Sequence, residues 1–292
     1  MEIFKGVGTA MVTPFKEGKV NFEEFGKLLE DQIKAKVSAV IVCGTTGESA
    51  TMSEEEKKDL IKYAVDKSSN RIKVIAGTGS NNTMNAIKMS KYAEEVGVDG
   101  LLVVTPYYNK TTQEGLYAHY KAIADSVELP IILYNVPSRT GVNITPETCL
   151  RLSKIENIVG IKEASGNMSQ VNKIAHLCED FAIYSGNDDM IIPILSIGGK
   201  GVISVLSNVM PKYTTDMIDE YFYGDNVKAG KMQTNIMDMV DALFCEVNPI
   251  PVKYILNEMG YDYGDPRLPL VPLSDKNKEK VDKVLVKYNL KK

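Results

Sequence analysis

The sequence predicts an α/β fold: a (β/α)8 TIM barrel over residues 1–223, followed by a C-terminal helical domain over residues 224–292. Three observations predict it. Short β-branched runs alternate with longer stretches of helical period. Eight such runs are present, and they start about 20–35 residues apart, the length of one βα unit. The runs are apolar on both faces, as in VIVC, LLVV and IILY. Parallel strands packed inside on one face and covered by helices on the other show this pattern. Eight units favour closure into a barrel over an open, doubly wound sheet.

Taken in order, the strand candidates are Gly8–Thr13, Ala39–Cys43, Lys73–Ala76, Gly100–Thr105, Ile131–Asn135, Ile158–Lys162, Ala182–Ser185 and Gly201–Val205. Helix signals lie between them. From Asn21 to Lys36, apolar residues recur at Phe22, Phe25, Leu28, Leu29 and Ile33, one face of a helix. Ser53-Glu54-Glu55-Glu56 is a capping box in sequence, and Leu60, Ile61, Ala64 and Val65 supply the apolar stripe behind it. The stretch Thr83–Val96 stops at Gly97. Thr145-Pro146 puts a cap and a first-turn proline in succession. Beyond the barrel, helices are expected at Asn226–Cys245, Pro251–Met259 and Asp275–Tyr288, with a proline-rich loop over Asp262–Pro272.

Composition removes several function classes. With 44% hydrophobic and 25% charged residues, the chain has ordinary globular proportions and is long enough to bury a core without disulfides. A net charge of −4 offers no basic field for nucleic acid. Cys43, Cys149, Cys178 and Cys245 are widely separated, which suits reduced thiols better than a disulfide framework or a zinc ribbon. The two histidines, His119 and His176, fall in separate predicted helices and form no ligand pair, so no metal is expected. No phosphate loop or dinucleotide fingerprint is present. No apolar run is long enough to span a bilayer, and the first residues lack signal-peptide character, so a cytoplasmic location is expected.

In such barrels the chemistry sits at the C-terminal ends of the strands. The second strand ends in Gly44-Thr45-Thr46-Gly47-Glu48, whose hydroxyls and amides suit a carboxylate, although an ordinary β–α turn reads the same way. The fourth ends in Pro106-Tyr107-Tyr108-Asn109, and the fifth in Tyr134-Asn135-Val136-Pro137-Ser138-Arg139. Phenols both donate and accept protons, and a guanidinium fork matches a carboxylate, but Arg139 taken alone reads as a surface salt bridge. The sixth strand ends on Lys162. A lysine there points into the barrel, where a neutral amine is a nucleophile toward carbonyls. At the end of the seventh, Gly186 permits close approach to backbone, while Asp188 and Asp189 read as caps of the next helix. Together these groups suit an amine-mediated reaction of a keto acid without a cofactor.

The motifs jointly resemble the dihydrodipicolinate synthase family, class I aldolase-like enzymes. The resemblance covers the whole chain. It runs from Thr9-Ala10-Met11-Val12-Thr13-Pro14-Phe15 through the Thr45, Tyr108, Tyr134 and Lys162 motifs to Asn248-Pro249-Ile250-Pro251-Val252-Lys253. It implies condensation of pyruvate with L-aspartate 4-semialdehyde to 4-hydroxy-tetrahydrodipicolinate, in lysine and diaminopimelate biosynthesis, with no cofactor. By the same resemblance, Lys162 is the Schiff-base lysine and Tyr134 the proton relay. Thr45 links Tyr134 to Tyr108, which family members supply from a neighbouring subunit. Thr46 binds the pyruvate carboxylate, Arg139 the semialdehyde carboxylate, and Gly186 and Ile203 present backbone carbonyls to the site. A homo-oligomer is implied, a tetramer built as a dimer of dimers.

Two alternatives remain at this stage. An N-acetylneuraminate lyase or keto-sugar-acid aldolase of the same superfamily shares the barrel and the lysine, but typically carries Ser at the position of Thr45 and lacks Arg139. A non-catalytic keto-acid-binding barrel is expected to lose Lys162, Tyr134 or Thr45, and all three are present. Lysine-sensitive relatives bind lysine at positions matching Ser49, Ala50, Asn81, Asn85 and Tyr107. Here the usual glutamate is Asn85, and the positions often held by His are Glu54 and Lys57. A bound ammonium loses its carboxylate partner, so weak sensitivity or none is expected.

Overall fold

Strand β1 (Gly6–Ala10) pairs on one side with a strand near the start of the chain and on the other with the last strand of the sheet, which closes a barrel. A short antiparallel hairpin follows it, β2 (Phe15–Lys16) and β3 (Lys19–Val20). The other barrel strands are β4 (Ala39–Val42), β5 (Lys73–Gly77), β6 (Gly100–Val104), β7 (Ile131–Asn135), β8 (Ile158–Glu163), β9 (Ala182–Ser185) and β10 (Gly201–Ser204). All barrel pairings are parallel, in the order β1-β10-β9-β8-β7-β6-β5-β4. This computed structural model describes residues 2–291.

The expected strands are present, with one shifted register. β1 starts at Gly6 and stops at Ala10, ahead of the expected Thr13. Past Ala10, Met11 still donates to Ile41 O, but the amide of Val12 donates to the side-chain oxygen of Asn208 instead of a strand. The hairpin β2–β3 carried no alternating pattern in the sequence and was not expected. Expected helix starts hold in detail. Asn21 caps Phe22–Lys34 by accepting from the Glu24 amide, and both bonds of the Ser53–Glu56 capping box form. Thr145 accepts from the Thr148 amide ahead of Pro146–Leu152. The expected helix Asn226–Cys245 is instead two, Asn226–Asn235 and Met237–Leu243, which meet at the fully buried Ile236. The remaining C-terminal helices are Ile250–Glu258 and Asp275–Lys287.

The apolar residues divide as two-faced strands require. One cluster fills the barrel interior, with Phe4, Ile41, Ile75, Leu102, Ile132, Tyr134, Tyr184 and Ile203 among its members. A larger one lies between strands and helices and runs on into the C-terminal helices through Ile236, Leu256 and Leu285. The interior floor is plugged by Phe4, which stacks on Tyr184 at 4.4 Å and accepts that phenol's proton at its own carbonyl (2.7 Å). At the opposite end the interior opens into a cavity.

Candidate active site

The cavity of about 430 Å³ lies at the C-terminal ends of the strands. β8 supplies its buried lysine. Past the register shift that follows Ile158, Ile161 packs into the outer layer, so its neighbours Gly160 and Lys162 face inward. A Cβ on Gly160 would sit 2.5 Å from the Ala182 carbonyl oxygen, so only glycine lets β8 and β9 approach here. Lys162 is buried (6% exposed), and register pairs it with Tyr134 on β7. Its Nζ lies 4.3 Å from the centre of the Tyr134 ring, a cation–π distance. The lysine is therefore presented to the cavity beside a phenol.

A buried polar hub sits behind this pair. Glu163, next to Lys162 but facing outward, is 2% exposed. It accepts from Asn135 Nδ2 (2.9 Å), Gln170 Nε2 (3.0 Å) and the Ser165 amide (2.7 Å). Asn143 joins Asn135 to Gln170. The hub pins the ends of β7 and β8 together one residue beyond Tyr134 and Lys162, where loose strand ends would move both groups.

The other walls come from three segments. Thr46 is buried in the turn after β4, and Gly47 of that turn accepts from the Thr13 hydroxyl (2.7 Å). Arg139 stands on the single helical turn Pro137–Thr140, and its Nη2 donates to the Asn248 carbonyl (3.0 Å). Gly186 follows β9, where a Cβ would come 2.5 Å from the Ala164 Cβ. Thr46, Tyr134, Arg139, Lys162 and Gly186 all line the one cavity. Ile203 is buried in the barrel interior. Thr45 is half-buried beside Thr46 and does not line the cavity. Tyr108 is 92% exposed and stands outside it.

The structure also corrects one reading and adds several residues. Asp188 does not cap the following helix. Its buried carboxylate accepts from the amides of Val205 (3.0 Å) and Leu206 (2.9 Å) across the barrel mouth. Burial raises its pKa, opposed by those amides, Ser204 and the Lys162 ammonium. Met237, Val240, Asp241, Phe244 and Asn248 complete the wall from the C-terminal region. The Asn248–Lys253 motif was the only sequence signal for any of them. Among the described residues no group of side chains is arranged to hold a metal ion.

Against known proteins, the model of the Dihydrodipicolinate synthetase family matches residues 3–288. The chain belongs to that family. Its similarity to family members is high and spans full lengths. A 4-hydroxy-tetrahydrodipicolinate synthase of Clostridium novyi is 54% identical over 99% of this chain and 98% of its own. The dihydrodipicolinate synthase structure from Thermotoga maritima is 46% identical with a TM-score of 0.97, covering 99% of this chain and 100% of that one. A chloride-inhibited dihydrodipicolinate synthase from Acinetobacter baumannii, solved with pyruvate, is 43% identical with a TM-score of 0.95, covering 98% and 99%. Within a dihydrodipicolinate synthetase family member, a buried lysine beside a phenol has a chemical meaning. The lysine is an amine held away from bulk water, and a phenol beside it is a group that can both donate and accept a proton.

Proposed function

We propose that this enzyme condenses pyruvate with L-aspartate 4-semialdehyde to 4-hydroxy-tetrahydrodipicolinate through a Schiff base on Lys162. The observation that carries the reading is Lys162, buried at the cavity floor with its Nζ 4.3 Å from the Tyr134 ring. The neutral amine adds to the pyruvate carbonyl carbon. Loss of water gives an iminium, and loss of a methyl proton gives an enamine. The enamine carbon attacks the aldehyde carbon, and the resulting oxygen takes a proton. The amino group of the former semialdehyde then adds to the iminium carbon, closes the ring and expels Lys162 as the free amine. Tyr134 carries protons in these steps, joined through Thr45 to Tyr108 of a neighbouring subunit. Thr46 holds the pyruvate carboxylate, and Arg139 the carboxylate of the semialdehyde. Gly186 and Ile203 face the substrate with backbone carbonyls.

Borohydride reduction in the presence of pyruvate tests the reading. It is expected to leave one mass adduct, on Lys162, and turnover is expected with the semialdehyde and not with sialic acid. A folded sample without the adduct overturns it.

The exposed Tyr108 supports a homo-oligomer, a dimer whose partners exchange this residue and a tetramer of two such dimers. A biosynthetic role supports a cytoplasmic location, and no described helix is long and apolar enough to cross a membrane. Lysine sensitivity is weak or absent in this reading. Among the matching positions, Asn81 Nδ2 donates to the Tyr107 carbonyl (3.2 Å), and Asn85 is uncharged. Glu54 is engaged by Lys58 (2.7 Å) and Lys88 (2.8 Å), whose hydrogen bonds hold its carboxyl down at about 2. Half-maximal inhibition well below millimolar lysine would contradict this.

A further inference from the structure

The C-terminal segment that follows the pocket-lining helix touches the Thr45–Thr46 turn at two points. Asn248 is 6% exposed and lines the cavity, and its Nδ2 donates to Thr46 Oγ1 at 3.0 Å. Five residues on, Lys253 pairs with Glu48 at 2.6 Å, both side chains being 1% exposed. Glu48 also accepts from the Arg267 amide (2.9 Å), and Lys253 donates to the Asp265 carbonyl (3.3 Å). One segment thus grips the turn at Thr46 and again two residues later at Glu48. The same segment reaches the far wall, because the Asn248 carbonyl receives Arg139.

The direction of the first bond matters. A threonine hydroxyl has one proton to give and two lone pairs. With Asn248 donating into one lone pair, the Thr46 proton is left to donate elsewhere, and Thr46 faces the cavity. We infer that Asn248 is a positioning residue for the condensation: its side-chain amide turns the Thr46 hydroxyl proton toward the carboxylate of pyruvate, while its backbone carbonyl anchors Arg139. One residue thereby sets the carboxylate-binding groups on opposite sides of the cavity. The Lys253–Glu48 pair holds the turn against which Asn248 acts. A buried pair of this kind adds little net stability over an apolar one, yet breaking it is costly, which suits a fixed strut. The inference rests on the reading of Thr46 as the pyruvate-carboxylate group.

The test is Asn248→Asp, nearly identical in shape. A carboxylate at this position only accepts, so it recaptures the Thr46 proton and sets a negative charge beside the incoming carboxylate. The pyruvate concentration for half-maximal borohydride trapping at Lys162 is expected to rise at least ~10-fold, against a melting temperature close to wild type. Asn248→Ala, which deletes the donor without adding a charge, is expected to raise it by roughly 3-fold to 10-fold and serves if the first variant folds poorly. Neither substitution removes the carbonyl that holds Arg139, so the KM for aspartate semialdehyde is expected to stay within about threefold. If folded Asn248→Asp traps at the wild-type pyruvate concentration, the inference is wrong, because the amide is then turned the other way or does not act on Thr46. A variant that loses adduct yield without a change in the half-maximal concentration also overturns it, since that marks fewer folded sites. Thr46→Val tests the underlying reading separately: an unchanged half-maximal concentration there removes the role of Thr46 itself.

Discussion

Tyr134 and Tyr108 are both phenols placed at strand ends, and the fold treats them oppositely. Tyr134 sits in strand β7, is 7% exposed, and meets Lys162 across a ladder whose register is fixed. Tyr108 follows β6 in a loop, takes a left-handed backbone conformation (φ 69°) and is 92% exposed. Strand ends deliver side chains into the barrel of their own chain, whereas an exposed loop leaves them on the surface. A single chain therefore assembles the buried lysine and its adjacent phenol, and leaves the second phenol outside the cavity, where the proposed function uses it across an interface.

Substitutions can sharpen or break that contrast. Lys162→Ala is expected to abolish borohydride trapping and lower turnover more than about 1,000-fold, since among the described residues no other amine lines the cavity. Tyr134→Phe is expected to cost roughly 100-fold to 1,000-fold in kcat, the usual yield of a positioned proton carrier, while trapping persists at a slower rate. Tyr108→Phe is expected to cost less, on the order of 10-fold, because it removes one link of a relay. Mixing unfolded Tyr134→Phe and Tyr108→Phe subunits and refolding them decides where Tyr108 acts. Use across an interface rebuilds one intact site in each mixed dimer, about a quarter of all sites, whereas action within one chain rebuilds none.

The smallest effect concerns stability. His119 is 6% exposed and held by Thr83 Oγ1 (2.9 Å to Nδ1), and burial lowers its pKa to about 4. Its unfolded pKa is about 6.5, so between pH 6.5 and 4 the unfolded chain binds a proton that the folded chain refuses. Stability is thus full above pH 6.5 and falls as pH drops to 4, by at most about 3 kcal/mol. Denaturant titrations of wild type and His119→Gln across this window are expected to differ by that slope.

Local signals were legible in the sequence, and distant ones were not. The barrel followed from spacing and from two-faced apolar strands, and Lys162 from its place at the end of one of them. The capping box and the Thr145-Pro146 start survive because their bonds close within three residues. The break at Ile236 escaped because apolar periodicity runs through it, and Ile236 itself is part of the buried core. The bond from Asn248 to Thr46 spans 202 residues, and no local pattern reports such a meeting. Asp188 shows the same limit: a carboxylate ahead of a helix suggests a cap, yet its partners are amides 17 and 18 residues onward.

The closure between β1 and β10 has a consequence for how the chain is made. β1 leaves the ribosome ahead of the other barrel strands, and its first possible neighbour, β4, follows soon after. Its other neighbour emerges roughly 200 residues later, on the order of 10–40 s at bacterial-like rates of ~5–20 residues per second. Through that interval one edge of β1 is unpaired, and Phe4 has no Tyr184 to stack on. An edge of this kind is open to pairing with other chains. Residues Gly6–Ala10 therefore have an open edge during synthesis and are paired on both edges in the finished protein, so a nascent chain stalled before Gly201 carries the aggregation risk that the completed barrel has removed.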